Sequence, residues 1–428
     1  MFQTTVPDKD ALIGPRGLRI MAFWLGVSLW FPAFGLSLGP ITLQPTDFVI
    51  LLSYPIVLVF LPRLTGLAWL VMLLFVGSTL ASFVAMGGSA VIFFYYLVFP
   101  LPFMVMIFIV CRQEDTAILF FKGFFVGAAT SVLFAFLQLA VGAERLDFRT
   151  NRNFTLPPQF DRAFALFPEI STFATHLIYL ISVSLVYLRS GVRKVFSPAG
   201  YVFLILVLGT VALMLTRSSS VLLVAPLAFA VAILVTQKFT TAGIIKLLVA
   251  VTLGGLLLLI FFNAYYSDRF ENNAAFRSMQ LRGITMLVGV SVLGTGEVFG
   301  VGVGNNFQVT WRALDLGQQL GFSFITIPSG VNSFIIARIF EEGYGALVQF
   351  SASFAILVWA FCQRDKGIVI KALLVLSVAS LLVSLFVTGY RGIYMNWFWL
   401  IVPAAVLARS APVRRPAFEE ASLAPNTR

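Results

Sequence analysis

Gly66-Leu-Ala-Trp-Leu-Val-Met-Leu-Leu-Phe-Val-Gly-Ser-Thr-Leu-Ala-Ser-Phe-Val-Ala-Met86 runs for 21 residues without a charged side chain. Coiled as a helix at about 1.5 Å per residue, such a run matches the roughly 30 Å hydrocarbon core of a bilayer. Similar runs recur along the chain, so the sequence reads as a polytopic helical membrane protein. Composition agrees: of 428 residues, 59% are hydrophobic and 11% charged, whereas soluble domains carry about 25% charged residues. The mean hydropathy is +0.96.

Working outward from that run, spans are expected at 19–38, 47–62, 66–86, 90–110, 117–141, 170–188, 199–215, 219–236, 244–262, 344–361, 368–388 and 393–408. The expected fold class is thus all-α, with about 12 transmembrane helices and a large extracytoplasmic loop between spans 9 and 10. The whole chain reads as a single polytopic domain with an outward loop at 143–169, a larger one at 263–343 and a polar tail at 410–428. Pro55, Pro62, Pro100 and Pro102 predict kinks in the second and fourth spans. No small-residue cleavage site follows closely on the first run, so a retained span is expected there rather than a cleaved signal peptide. Cys111 and Cys362 suggest neither a disulfide framework nor a metal cluster, and no internal repeat is visible.

Basic residues set the orientation. Twelve spans put both termini on one side, and that side receives Lys9, Arg16, Arg19, Arg63, Arg112, Arg189, Arg193, Lys194, Lys238, Arg364, Lys366, Arg409, Arg414 and Arg415. It is therefore expected to be cytoplasmic. The net charge of +11 spreads over the loops between spans, which is not a nucleic-acid signature. All seven lysines fall in cytoplasmic segments or inside spans. The outward basic residues are all arginine, whose planar fork of donors matches phosphate oxygens bidentately. That bias, held against the positive-inside trend, argues for an extracytoplasmic phosphate site.

Four outward clusters carry the candidate residues. Arg162 and Glu169 lead into the sixth span, with His176 two turns inside; a structural ion pair is the plain alternative. Thr216-Arg217-Ser218 forms a tight turn, where the alternative is a snorkelling arginine. Arg277 and Arg282 lie on a candidate amphipathic segment ahead of Gly300-Val-Gly-Val-Gly-Asn-Asn306. Those glycines suit close backbone approach to an anion or sugar, through Gly302, Gly304 and Asn305; a tight turn without ligand explains them equally well. Last, Asn332-Ser333 opens a helix bearing Arg338, Glu341 and Glu342. Either residue can cap it, and Arg338 with Glu342 at i,i+4 also fits an internal salt bridge.

The order of these clusters resembles the bacterial O-antigen polymerase and ligase superfamily of Wzy/WaaL-like membrane glycosyltransferases. The resemblance rests on Arg162…Pro168-Glu169, Arg217-Ser218, Gly300-Val-Gly-Val-Gly-Asn305 and Asn332-Ser-Phe-Ile…Glu342-Gly-Tyr-Gly345, and covers roughly 162–350. It implies a GT-C-like membrane fold and a substrate of oligosaccharide repeats linked to undecaprenyl diphosphate. It also implies a site facing the periplasm from the bacterial inner membrane. One departure stands out: the histidine that ligases carry before the asparagine is Val331 here, which tilts the resemblance towards a polymerase.

The chemistry implied is attack of an acceptor sugar hydroxyl on an anomeric carbon, with the lipid diphosphate leaving. Such a transfer needs positive charge on the leaving group and a proton acceptor for the hydroxyl. Arg217, Arg277 and Arg282 are the expected diphosphate ligands, supported by Arg162, Arg338, Asn332 and the glycine loop. Glu169, Glu341, Glu342 and His176 are the candidates for the acceptor side. No outward metal-binding spacing appears, so a metal-independent, cofactor-free transfer is expected. Expected partners are membrane lipid and the flippase and chain-length regulator of the same pathway, with no nucleic acid. The product is O-antigen, capsule or exopolysaccharide. A ligase acting on lipid A core and a transporter of lipid-linked oligosaccharide are the rival functions.

Overall fold

The structure, a computed structural model, describes residues 15–38, 41–143, 145–147, 163–190, 195–216, 218–236, 274–321, 330–363, 367–387 and 393–410. In chain order the helices are α1 (Pro15–Ser28), α2 (Pro45–Phe60), α3 (Gly66–Met86), α4 (Ala90–Val98), α5 (Pro100–Arg112), α6 (Glu114–Val141), α7 (Ile170–Arg189), α8 (Ala199–Leu215) and α9 (Ser219–Thr236). They continue as α10 (Ala274–Ser291), α11 (Val309–Gln319), α12 (Phe334–Glu342), α13 (Tyr344–Cys362), α14 (Ile368–Phe386) and α15 (Met395–Ser410). Among the described residues, seven helical stretches are long and apolar enough to cross a membrane, with α4 and α5 making one of them. The fold is that of an all-α membrane protein.

Helix boundaries follow local chemistry. α3 starts where Thr65 Oγ1 accepts from the Ala68 N–H and stops at Gly87, whose φ of 64° only glycine adopts cheaply. Ser89 then caps α4. α4 and α5 are separated at Pro100, which has no N–H to continue the ladder, so the expected fourth span is a broken helix. The expected ninth span, 244–262, lies outside the described residues, as does the tail beyond Ser410.

The first expected span, 19–38, has different bounds. α1 ends at Ser28, and Leu36–Leu38 pairs antiparallel with Ile41–Leu43 in a short hairpin, β1 and β2, Leu36 opposite Leu43. Pro32 disfavours helical backbone in the residue before it, so apolar residues past Trp30 leave the helix. The described residues of the 263–343 region likewise include three α-helices, α10 to α12.

The core lies between helices with few exposed positions. α5, α7, α14 and α15 are largely buried, while α2, α3, α6 and α13 expose apolar faces such as Leu52, Leu73, Leu133 and Phe354. A helix apolar on every side is stable only among other helices or in lipid. α1 meets α6 along glycines: a Cβ on Gly26 would collide with the Phe120 carbonyl, and one on Gly123 with the Phe23 carbonyl. Gly127, four residues on, faces Val27 and Trp30. Small residues at this spacing let backbones approach where apolar packing alone gives no preference for helix over lipid.

One end of the bundle is tied by charge. Arg19 pairs with Asp115 at 2.7 Å, Arg409 with Glu114 at 3.3 Å, and Arg112 donates to the Arg63 carbonyl at 3.2 Å. These contacts gather the start of α1 and α6 and the ends of α2, α5 and α15. Replacing Gly123 by leucine should lower the unfolding midpoint in detergent by overpacking worth about 1–3 kcal/mol. Gly77→Leu, at an open position on α3, should leave the midpoint within a degree or two of the parent.

Candidate functional site

At the opposite end, α12 anchors the 263–343 region. Ser333 Oγ accepts from the Ile336 N–H and itself donates to the Ser384 carbonyl on α14. The helix stops at Gly343, whose φ is 60° and whose N–H returns to the Ile339 carbonyl. Arg338, Glu341 and Glu342 are all fully buried inside the bundle. Arg338 Nη2 pairs with Glu342 Oε2 at 2.5 Å, the i,i+4 bridge that the spacing suggests. Ser78 donates to the same carboxylate at 2.8 Å. The guanidinium stands over three aromatic rings, Phe75, Tyr96 and Trp397, at 4.8, 5.0 and 5.3 Å. A cation enclosed by ring faces and a carboxylate gains both quadrupole and ion-pair attraction in a dry setting.

The glycine loop packs against this anchor. Gly300, Gly302 and Gly304 have φ of 70°, 98° and 86°, a region that side chains avoid. Gly300 abuts the backbone at Glu341–Glu342, Gly302 abuts Met86, and Gly304 abuts Ser89. Three of its N–H groups are bonded within the protein: Val301 to the Phe340 carbonyl, Gly302 to the Glu341 carbonyl, and Asn305 to the Gly302 carbonyl. Asn305 Nδ2 donates to the Val301 carbonyl at 3.0 Å. Those bonds are the ones a tight turn makes, and an anion nest would draw on other N–H groups of the loop. Asn306 reaches onward and accepts from the Val331 N–H at 3.2 Å. Val331 is buried. Asn332 is partly exposed.

Glu169 and Arg282 lie elsewhere, within electrostatic reach of one another. Gln138 on α6 braces the chain before α7: its amide bonds the Ala165 N–H at 2.7 Å and the Ala165 carbonyl at 3.1 Å. Ala165 is the only non-glycine residue with positive φ among the described residues. This brace delivers Glu169 to the start of α7, where its carboxylate accepts from Ser171 at 3.0 Å. Arg282, on α10, sends Nη1 to the Val387 carbonyl at the end of α14, at a long 3.4 Å. Burial pulls the Arg282 guanidinium below its usual pKa, and the Glu169 carboxylate pulls it back up. Arg277 shares α10, but its side chain lies outside the described part. Five residues apart, the two positions stand roughly 140° apart around the helix, so they do not share a face.

His176 occupies a third place. Its Nδ1 faces the Thr172 carbonyl at 2.9 Å, so that nitrogen carries the hydrogen. Its ring touches those of Trp30, Phe167 and Tyr179. It also lines a cavity of about 10 Å³ with Gln44, Thr46 and Tyr394. Next to that cavity is a buried carboxylate absent from the sequence reading: Asp47 accepts from Tyr394 Oη and from the Gln44 N–H. Pro45-Thr-Asp47 signals only a capped helix start, and its pairing with Tyr394 has no local mark. Arg162 and Arg217 lie outside the described residues. Among those described, no group of three His, Cys, Asp or Glu side chains is placed to hold a metal.

The arrangement therefore divides the candidate residues. Arg338, Glu341, Glu342 and the glycine loop form one buried unit, Glu169 and Arg282 form a second at the ends of α7 and α14, and His176 sits in a third. No family model matches the chain, and no curated protein matches it in sequence. Arg338→Met or Glu342→Leu alone should each cost about 3–5 kcal/mol of stability, because either leaves an unpaired charge in the core. The double variant should lose less than either single one, as read by denaturant unfolding in detergent.

Proposed function

We propose that this protein polymerises oligosaccharide repeat units carried on undecaprenyl diphosphate, on the extracytoplasmic face of a bacterial inner membrane. In this reading the chain makes twelve passes with both ends in the cytoplasm, and residues 263–343 form one wall of the site. An acceptor sugar hydroxyl attacks the anomeric carbon of the donor glycan. The bond to the lipid diphosphate breaks, and arginines stabilise the departing anion. The acceptor's proton passes to a carboxylate.

The observation that carries this reading is Arg282. It is partly enclosed within electrostatic reach of Glu169, yet its one hydrogen bond among the described residues is a long one to a carbonyl. A guanidinium so placed retains donors for a bidentate oxyanion. Glu169 beside it is the favoured proton acceptor, because Glu341 and Glu342 are enclosed in the bundle and His176 is walled by rings. Arg162 and Arg217 join Arg282 by the order of the sequence motifs. Val331 in place of histidine favours polymerase over ligase.

The test is incubation of purified protein with a lipid-diphosphate repeat unit. Ladders of two, three and more repeats are the expected product. Transfer to a different acceptor would mean a ligase, and movement across vesicles without new bonds would mean a transporter. Arg282→Ala should slow chain extension about 10- to 100-fold, the loss of one charge-assisted contact of roughly 1.5–3 kcal/mol. Full extension by this variant would remove Arg282 from the site.

A further inference from the structure

The outward segment before α11 exposes large apolar side chains that the proposed chemistry leaves unused. Trp311 is 73% exposed and Phe307 59%, and Val298 and Phe299 are also exposed. Four residues apart, Phe307 and Trp311 share one face of the turn that opens α11, while Val309 and Ala313 on the other side are buried. Exposed aromatics grouped this way need a cover.

The position of this segment says what covers it. It is clamped to the short turn between α3 and α4, two helical stretches long and apolar enough to cross the membrane. The Ser89 N–H donates to the Val303 carbonyl at 2.7 Å. Gly88 lies against the Val303 backbone, Gly302 against Met86, and Gly304 against Ser89 and Ile92. A turn joining two membrane-crossing helices marks the level of the membrane–water interface. The exposed aromatics lie within eight residues of that clamp. Val84, Met86, Val91 and Phe94, on either side of the turn, are themselves exposed, so the apolar belt of the bundle continues into the clamped segment. The polarity then changes along α11: Asp315, Gln318 and Gln319 are exposed, and Gln319 donates to Asp315. Asp315 lies one turn beyond Trp311 on the same face, about 6 Å further along the axis.

We propose that the Phe307–Trp311 turn is a membrane-interface anchor. Its two rings sit among the headgroups and upper acyl chains of the leaflet at that end of the bundle, and α11 rises from there into water. Tryptophan suits this layer, with an apolar body and one N–H for the headgroup region. The anchor holds the 263–343 region at the depth where the headgroup of a membrane lipid lies. The inference stands on the clamp and the exposures, independently of the polymerase reading.

Site-directed spin labelling in lipid nanodiscs tests it. Single cysteines replace Phe307, Trp311, Asp315 and Gln318 in turn in a Cys362→Ser background, with Val84→Cys as the lipid-facing reference. Labels at 307 and 311 should collide with dissolved oxygen several-fold more than with a water-soluble nickel chelate, as at 84, and those at 315 and 318 should reverse the order. A water-like profile at 307 and 311 overturns the proposal. Shielding from both reagents, which would indicate a protein cover, overturns it equally. Brominated lipid supplies a second reading without cysteines: parent minus Trp311→Phe fluorescence should be quenched, and an unquenched difference counts against the anchor.

Discussion

The ion pair between Arg338 and Glu342 fixes where the 263–343 region can sit. Two charges removed from water are costly, and their attraction offsets that cost only when geometry and further hydrogen bonds are in place. Here α3 supplies Ser78 and Phe75, α4 supplies Tyr96, and α15 supplies Trp397. A rotation or slide of α12 would strip the guanidinium of rings and carboxylate together. The nine-residue helix α12 is thus held at one end by this cage and at the other by Ser333 on the Ser384 carbonyl. Arginine suits the place better than lysine, because a flat, weakly hydrated cation stacks on rings while keeping its donors in plane.

From that anchor the constraint passes to backbone. The Glu341 carbonyl, one residue from the pair, accepts from both Ser82 Oγ and the Gly302 N–H. The glycine loop is drawn in between the end of α12 and the turn after α3, where no side chain fits at Gly300 or Gly88. Enclosed backbone groups need partners inside the protein: the loop's Val301 and Gly302 N–H groups go to the Phe340 and Glu341 carbonyls, and its Val303 carbonyl accepts from the Ser89 N–H. Glycine gives up conformational freedom for this, and the return is a route for the chain across the bundle's end that bonds both to α12 and to the turn after α3.

The helices were largely legible because lipid-length apolar runs and their caps are local signals: Thr65, Ser89, Ser333 and Gly87 mark boundaries within a few residues. The end of α1 was not, since residues 29–38 are as apolar as a span and only Pro32 and Gly35 hint at the hairpin. Within the site, Arg338 and Glu342 were legible as an i,i+4 pair because helical spacing alone makes them neighbours. Glu169 and Arg282 are separated by α7, α8 and α9 in the chain, and no periodicity relates them. Asp47 and Tyr394 lie further apart still. The glycines announced a special backbone, but whether they approach a ligand or their own protein depends on Glu341 and Met86, which no local pattern names.

The described arginines of the 263–343 region carry different electrostatic loads. Arg312 is answered by Glu297 in a two-pronged pair at 2.9 and 2.8 Å and stacks on Phe340. Arg338 is answered by Glu342. Each is neutralised where it stands, so neither has reason to leave its partner for a ligand without losing what its burial already cost. Arg282 differs. Glu169 acts on it through space, and its one hydrogen bond among the described residues goes to a neutral carbonyl. A partly desolvated cation in that state gains more from an incoming oxyanion than a paired one does, because no existing ion pair must be broken first. The same reasoning ranks the carboxylates. Glu342 is tied to its cation and Glu297 to Arg312, while among the described residues Glu169 accepts from a serine hydroxyl and has Arg282 as an electrostatic neighbour. Of the charged pairs described in the 263–343 region and at the start of α7, Glu169 and Arg282 are thus the two not tied to each other or to another charge by a direct ion pair.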